Sequence, residues 1–129
     1  MKLYKEGDLG CLNMADRLSF VRSLATKYNL KESIHNSYGV MVYVYYLKPV
    51  CNSHIHILSW CEEQDHVNMA SELRTNSTTI NKEHLYACKF KHEYSISNIE
   101  RRLKNYTKQA KEFMVKMKKQ EIENDFKST

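Results

Sequence analysis

Hydrophobic positions first take on a regular period at Met14. Leu18, Val21, Ala25 and Tyr28 follow it at intervals of four, three, four and three, which is one stripe of an α-helix. Asn13 stands where a cap belongs, and Asp16 suits the positive helix start. Asn29 tolerates the left-handed backbone that ends a helix. The pattern predicts a helix over 13–29, followed by a polar, turn-prone stretch over 31–38.

The period then changes. Gly39 to Leu47 is dense in β-branched and aromatic residues and reads as a strand. Its apolar groups fall on both faces, so it is either covered on both sides or has one open aromatic face. Lys48-Pro49 closes it, Val50 to Ser53 makes a short connection, and His54 to Trp60 reads as a second strand in a hairpin with the first. Glu62 to Asp65 is a solvated turn, and His66 to Leu73 fits a short strand or a helical turn. Thr75 to Thr79 has loop chemistry. Tyr86, Cys88, Phe90, His92 and Tyr94 alternate with Ala87, Lys89, Lys91 and Glu93, which predicts a half-buried strand with its lysines outward.

The strongest signal comes last. Ser97 and Glu100 have capping-box spacing, and Ile99, Leu103, Tyr106, Ala110, Phe113 and Met117 repeat at four, three, four, three and four. No Gly or Pro interrupts 97–126, so a helix of roughly 40 Å is expected, long enough to project from a small domain or to pair with another helix. The fold class is α+β: a small antiparallel sheet of three or four strands with an N-terminal helix and a long C-terminal helix.

At 129 residues, 42% hydrophobic, with three Gly and one Pro, the chain suits one folded domain over 1–129. Met1 to Asp8 lacks the apolar segment of a secretory signal, and no run approaches the length of a membrane span. A cytoplasmic protein is expected. Cys11, Cys51, Cys61 and Cys88 then read as reduced thiols, and the sequons at Asn76 and Asn105 as silent. Abundant Lys, Asn, Ile, Tyr and Ser give the accent of an AT-rich genome, which fits a virus or mobile element; the location would then be host cytoplasm.

Net charge is +5, but its distribution says more. Between residues 98 and 119 eight basic side chains face two acidic ones, a local excess of six. Arg101, Lys104, Lys108, Lys111 and Lys118 share three–four spacing opposite the apolar seam. Such a rod can lie along phosphates by counterion release, or meet an acidic protein surface. The same lysines also serve an ordinary solvated helix face. The seam, Ile99, Leu103, Tyr106, Ala110, Phe113 and Met117, is either core or the contact of a homodimer.

Other constellations are thinner. Tyr43 and Tyr45 share one strand face, and Lys89 and Lys91 another; were these the same face, they would form a platform for stacked bases. His54 and His56 point to one side of a strand, as metal ligands or two-histidine phosphoesterase acids do, yet no motif supplies a third ligand or a second H-x-S/T element. Leu24 to Ile34 has partial helix-turn-helix spacing, with its second apolar residue one place early. Phosphate loops, nucleophile elbows and zinc motifs are absent from the sequence. The reading is a non-enzymatic binding or regulatory protein using a basic helix on nucleic acid or its handling machinery, with no cofactor, metal or membrane role assigned. The alternative is an inhibitor that blocks a host protein complex, and a histidine-dependent phosphoesterase ranks third.

Overall fold

A computed structural model describes residues 4–50, 53–78 and 82–127. After a single 3-10 turn, Leu9–Cys11, come helix α1 (Met14–Lys27), strands β1 (Leu30–Ser37), β2 (Val40–Val50), β3 (Ser53–Cys61), β4 (Val67–Thr78) and β5 (Lys82–Glu93), and helix α2 (Ile96–Lys127). The strands form one antiparallel meander, β1-β2-β3-β4-β5. The α+β class holds, with five strands where three or four were expected. Both helices lie on the same face of the sheet, and the other face is open.

Local chemistry explains the ends of α1. The Asn13 side chain accepts a hydrogen bond from Asp16 N at 2.8 Å, and Asn29 takes φ 54° just past the helix. Val21 and Leu24 are buried and Leu18, Ala25 and Tyr28 pack against the core, while Met14 is exposed, so the predicted stripe holds from Leu18 onward. Asn29 leads directly into a strand. The helix-turn-helix reading therefore fails, because Leu30–Ser37 is paired along its whole length with β2.

That strand was hidden by its polarity. β1 is an edge strand with only Leu30 buried, so nothing selects for apolar residues along it. It joins β2 through Tyr38-Gly39, both at positive φ (52° and 84°), the geometry of a two-residue type I′ turn. Asn36 Oδ1 accepts from Gly39 N at 2.9 Å and holds the turn. The β2–β3 hairpin appears as anticipated, although residues 51–52 of its connection lie outside the described residues.

β2 alternates as an asymmetric layer demands. Tyr43, Tyr45 and Leu47 are buried under the helices, whereas Val42, Val44 and Tyr46 lie on the open face. Tyr43 sits opposite Trp60, Tyr45 opposite Leu58, and Leu47 opposite Ile55. A bulge after Tyr45 lets both Ile57 and Leu58 sink into the core. Trp60 is fully buried and its Nε1 donates to Gln64 O at 2.9 Å. Truncating such a residue to Ala costs about 3–5 kcal/mol.

Most of the segment 62–78 resolves into the long strand β4, while residues 79–81 lie outside the described residues. Among the described residues β4 makes two pairs with β3, Leu58↔Met69 and Ser59↔Asn68, but eleven with β5. The polar Thr75 to Thr78 stretch is strand, not loop, within a β4–β5 arm; Thr79 lies outside the described residues. β5 forms as predicted, with its faces inverted. Ala87 and Leu85, opposite Leu73 and Thr75, pack toward the core. Tyr86, Phe90 and Tyr94 remain 40%, 37% and 42% exposed on the open side.

Helix α2 closes the fold. Its cap is Ser95, whose Oγ accepts from Asn98 N at 3.4 Å, while Ile99 N bonds Ser95 O at 3.0 Å. The proposed Ser97–Glu100 box is displaced because Glu100 instead pairs with Lys27 of α1 at 2.6 Å. Ile99, Leu103, Tyr106, Ala110 and Phe113 are all buried against the sheet, with Met117 packed at the margin. Of the two uses expected of this seam, it serves the core within the chain. The helix runs for 32 residues, about 48 Å, and past Met117 its described side chains are largely exposed.

Candidate functional site

Burying one side of α2 turns its other side outward. Arg101, Lys104, Lys108, Lys111 and Lys118 are all exposed, in one line spanning about 25 Å. Arg101 Nη2 donates to Asn98 Oδ1 at 3.1 Å. Lys104, Lys108, Lys111 and Lys118 have no ion pair among the described residues. The acids nearest the start of this line are already engaged: Glu100 by Lys27, and Glu93 by Arg102 Nη2 at 3.8 Å. Between 101 and 118 the one acid on α2 is exposed Glu112, four residues after Lys108, so the field along the line is strongly positive though not free of acid.

Two depressions flank the line. On the β4 side a groove of about 620 Å³ is lined by Arg101, Arg102, Lys104, Asn105, Lys108 and Ser71, with no acid among them. Two atoms in its walls, Ser71 Oγ and Arg102 Nη1, are buried without a hydrogen-bond partner. An unpaired buried donor costs about 1–3 kcal/mol, and a ligand oxygen would recover it once the long side chains lining the groove moved aside. Guanidinium and hydroxyl donors beside two lysines suit a phosphate oxygen. On the other flank lies a hollow of about 420 Å³ between α2, the end of α1 and β2.

The aromatic platform does not form as expected. Tyr43 and Tyr45 are buried beneath the helices, Tyr43 5.7 Å from the Trp60 ring and Tyr45 donating to Glu32 Oε2 at 3.0 Å. Burial first, then the bond to Glu32, pushes the Tyr45 hydroxyl pKa far upward. Lys89, at φ 57°, pairs with Glu72 at 3.2 Å, whereas Lys91 stands opposite Met69 at the sheet margin. These four residues do not share a surface.

The open face carries a different set of rings around His56, whose neighbours there the sequence did not single out. His56 lies 5.0 Å from Phe90 and 5.7 Å from Tyr46; burial lowers its pKa, against a smaller opposing effect of a backbone hydrogen bond with Leu58. His54 is exposed. Further along, His66 Nδ1 bonds buried Asp65 at 2.8 Å and its ring stacks on His92 at 4.0 Å. An Asp–His pair can orient a general base, but no Ser, Thr or Cys side chain is hydrogen-bonded to His66 among the described residues. Nor do three His, Cys, Asp or Glu side chains group as a metal-ligand set there. Cys11, Cys61 and Cys88 are free thiols, and Cys51 lies outside the described residues. No described helix is long and apolar enough to cross a membrane.

Comparison with protein-family models, curated proteins and solved structures finds no match to this chain. Its function is therefore argued from the geometry above.

Proposed function

We propose that this is a non-enzymatic binding protein that seats the phosphates of a nucleic acid along the exposed face of α2. Arg101, Lys104, Lys108, Lys111 and Lys118 act as phosphate partners, and the groove at Arg102 and Ser71 adds directed donors. The observation that carries the reading is the line of four exposed lysines without ion pairs, beside a groove lined by four cations and no acid. Surface lysines that serve only solubility are commonly interspersed with acids; a stripe of five cations with one acid, Glu112, favours a polyanion.

A second reading has its own support. Met114, Val115 and Ile122 are 40%, 54% and 56% exposed on the outer half of α2. Apolar groups among lysines suit an acidic protein partner, as in an inhibitor that blocks a complex. Fluorescence anisotropy with labelled single- and double-stranded oligonucleotides separates the two. Phosphate binding predicts low-salt affinity that the combined reversal Lys104→Glu, Lys108→Glu, Lys111→Glu abolishes. Absence of binding by the unaltered protein at low salt, with a nuclease-resistant complex in a pull-down, rejects it for the protein-partner reading.

A further inference from the structure

The second hollow has a different character from the groove at Arg102. Its floor is apolar: Leu47 and Ala110 are buried, Tyr28 is half-buried, and the Met114 side chain forms an exposed wall. Its rim is cationic, with Lys27, Lys48 and Lys111 around it and no acid in its lining. An apolar bed inside a positive rim selects a ligand with a flat or greasy body and a negative charge.

The polar groups at its edge narrow that choice. Asn29 Oδ1 accepts from Lys48 Nζ at 2.9 Å, leaving the amide NH₂ to donate to a ligand. Thr107 Oγ1 lies within 2.9 and 3.0 Å of the Lys104 and Leu103 carbonyls, so its proton is used inside the helix and its lone pair remains as an acceptor. A donor and an acceptor at the mouth match the edge of a nucleobase, whereas an acyl chain would use neither. The methionine thioether and the tyrosine ring offer polarizable surfaces against which a base can lie. Lys27 is already drawn to Glu100, so Lys111, without an ion pair, is the cation best placed for the adjoining phosphate. Lys111 also belongs to the line along α2, so a strand lying on that line passes the mouth of the hollow.

We propose that this hollow seats one base of a single-stranded nucleic acid whose phosphates follow the line of lysines on α2. The inference rests on the phosphate-binding reading and adds what that reading leaves open, a preference for unpaired strands. A base held in a duplex cannot enter the hollow without being extruded from the stack.

The test compares two labelled 12-mers of equal charge, oligothymidylate and an abasic phosphodiester of the same length, against the full chain in anisotropy at fixed low salt. Stacking one base is expected to make the base-bearing strand bind about tenfold more tightly than the abasic one. Met114→Glu, at an exposed position, places a carboxylate at the wall and should erase that ratio; circular dichroism confirms that the variant folds. Equal affinity of the unaltered protein for both strands, each still salt-sensitive, overturns the base-binding hollow and leaves the phosphate reading standing. A tenfold preference that survives Met114→Glu also overturns it, since the base then sits elsewhere. Binding of neither strand removes the phosphate reading itself. Displacement of the oligothymidylate by a medium-chain fatty acid but not by thymidine monophosphate would assign the hollow to an acyl chain and refute the proposal.

Discussion

Tyr106→Phe isolates the contact that fixes α2, and so its charged face, on the sheet. The Tyr106 hydroxyl donates to Ala70 O at 2.7 Å in a buried environment, and the residue is 3% exposed. Burial raises the Tyr106 hydroxyl pKa, so it stays a protonated donor at neutral pH. The bond ties α2 to β4 just past the β3–β4 ladder, which among the described residues consists of Leu58↔Met69 and Ser59↔Asn68. Phe keeps the ring and the packing. The change therefore removes one hydrogen bond and leaves a buried carbonyl short of a partner, a loss of about 1–3 kcal/mol. For a domain of this size that is a fall in Tm of roughly 3–10 °C. Urea unfolding followed by far-ultraviolet circular dichroism reads it as a lower midpoint with unchanged m. A variant within 0.5 kcal/mol of the parent, by the order of magnitude used here, would refute the claim that this bond anchors α2.

Three further outcomes follow. Because burial depresses the His56 pKa below its ordinary 6.5, the unfolded chain binds the extra proton first. Stability should be full above that value and fall as pH drops through the folded-state pKa, and His56→Phe should flatten the slope in urea midpoints between neutral and acid pH. Neutralising Lys104, Lys108 and Lys111 to Gln should lower the salt slope of duplex binding by about 2.7, at roughly 0.9 per phosphate contact; an unchanged slope would show that these lysines do not meet phosphates. Ser71→Ala removes an unpartnered buried hydroxyl, so thermal unfolding should show a stability unchanged or raised by up to about 1 kcal/mol. The same variant should bind nucleic acid less tightly at every salt concentration with the slope unaltered, because no charge is lost.

The two helices were legible because each buries a single stripe, and a stripe is a property of spacing. The same spacing exposed the line from Arg101 to Lys118, since one buried side of a helix fixes the other. Edge strand β1 and the polar end of β4 from Thr75 were not legible, because β1 is largely exposed and neither carries apolar alternation. β5 shows the converse difficulty. Its larger residues, Tyr86, Phe90 and Tyr94, lie on the open side, while the smaller Ala87 and Leu85 face the helix layer. Alternation reveals a strand but not which face a helix will cover. Tyr43 and Tyr45 were misplaced for that reason. The groove at Ser71 and Arg102 and the hollow at Leu47 and Met114 join residues from distant elements, and no local pattern announces such meetings.

The most direct test of the central claim is to record backbone amide spectra of the isotope-labelled chain as a short oligonucleotide is added at low salt. The account predicts that the amides of residues 101–118 and Ser71 shift first and most, and that the shifts reverse as salt is raised. Shifts confined to the open face around Tyr46, His56 and Phe90, with α2 unmoved, would contradict it.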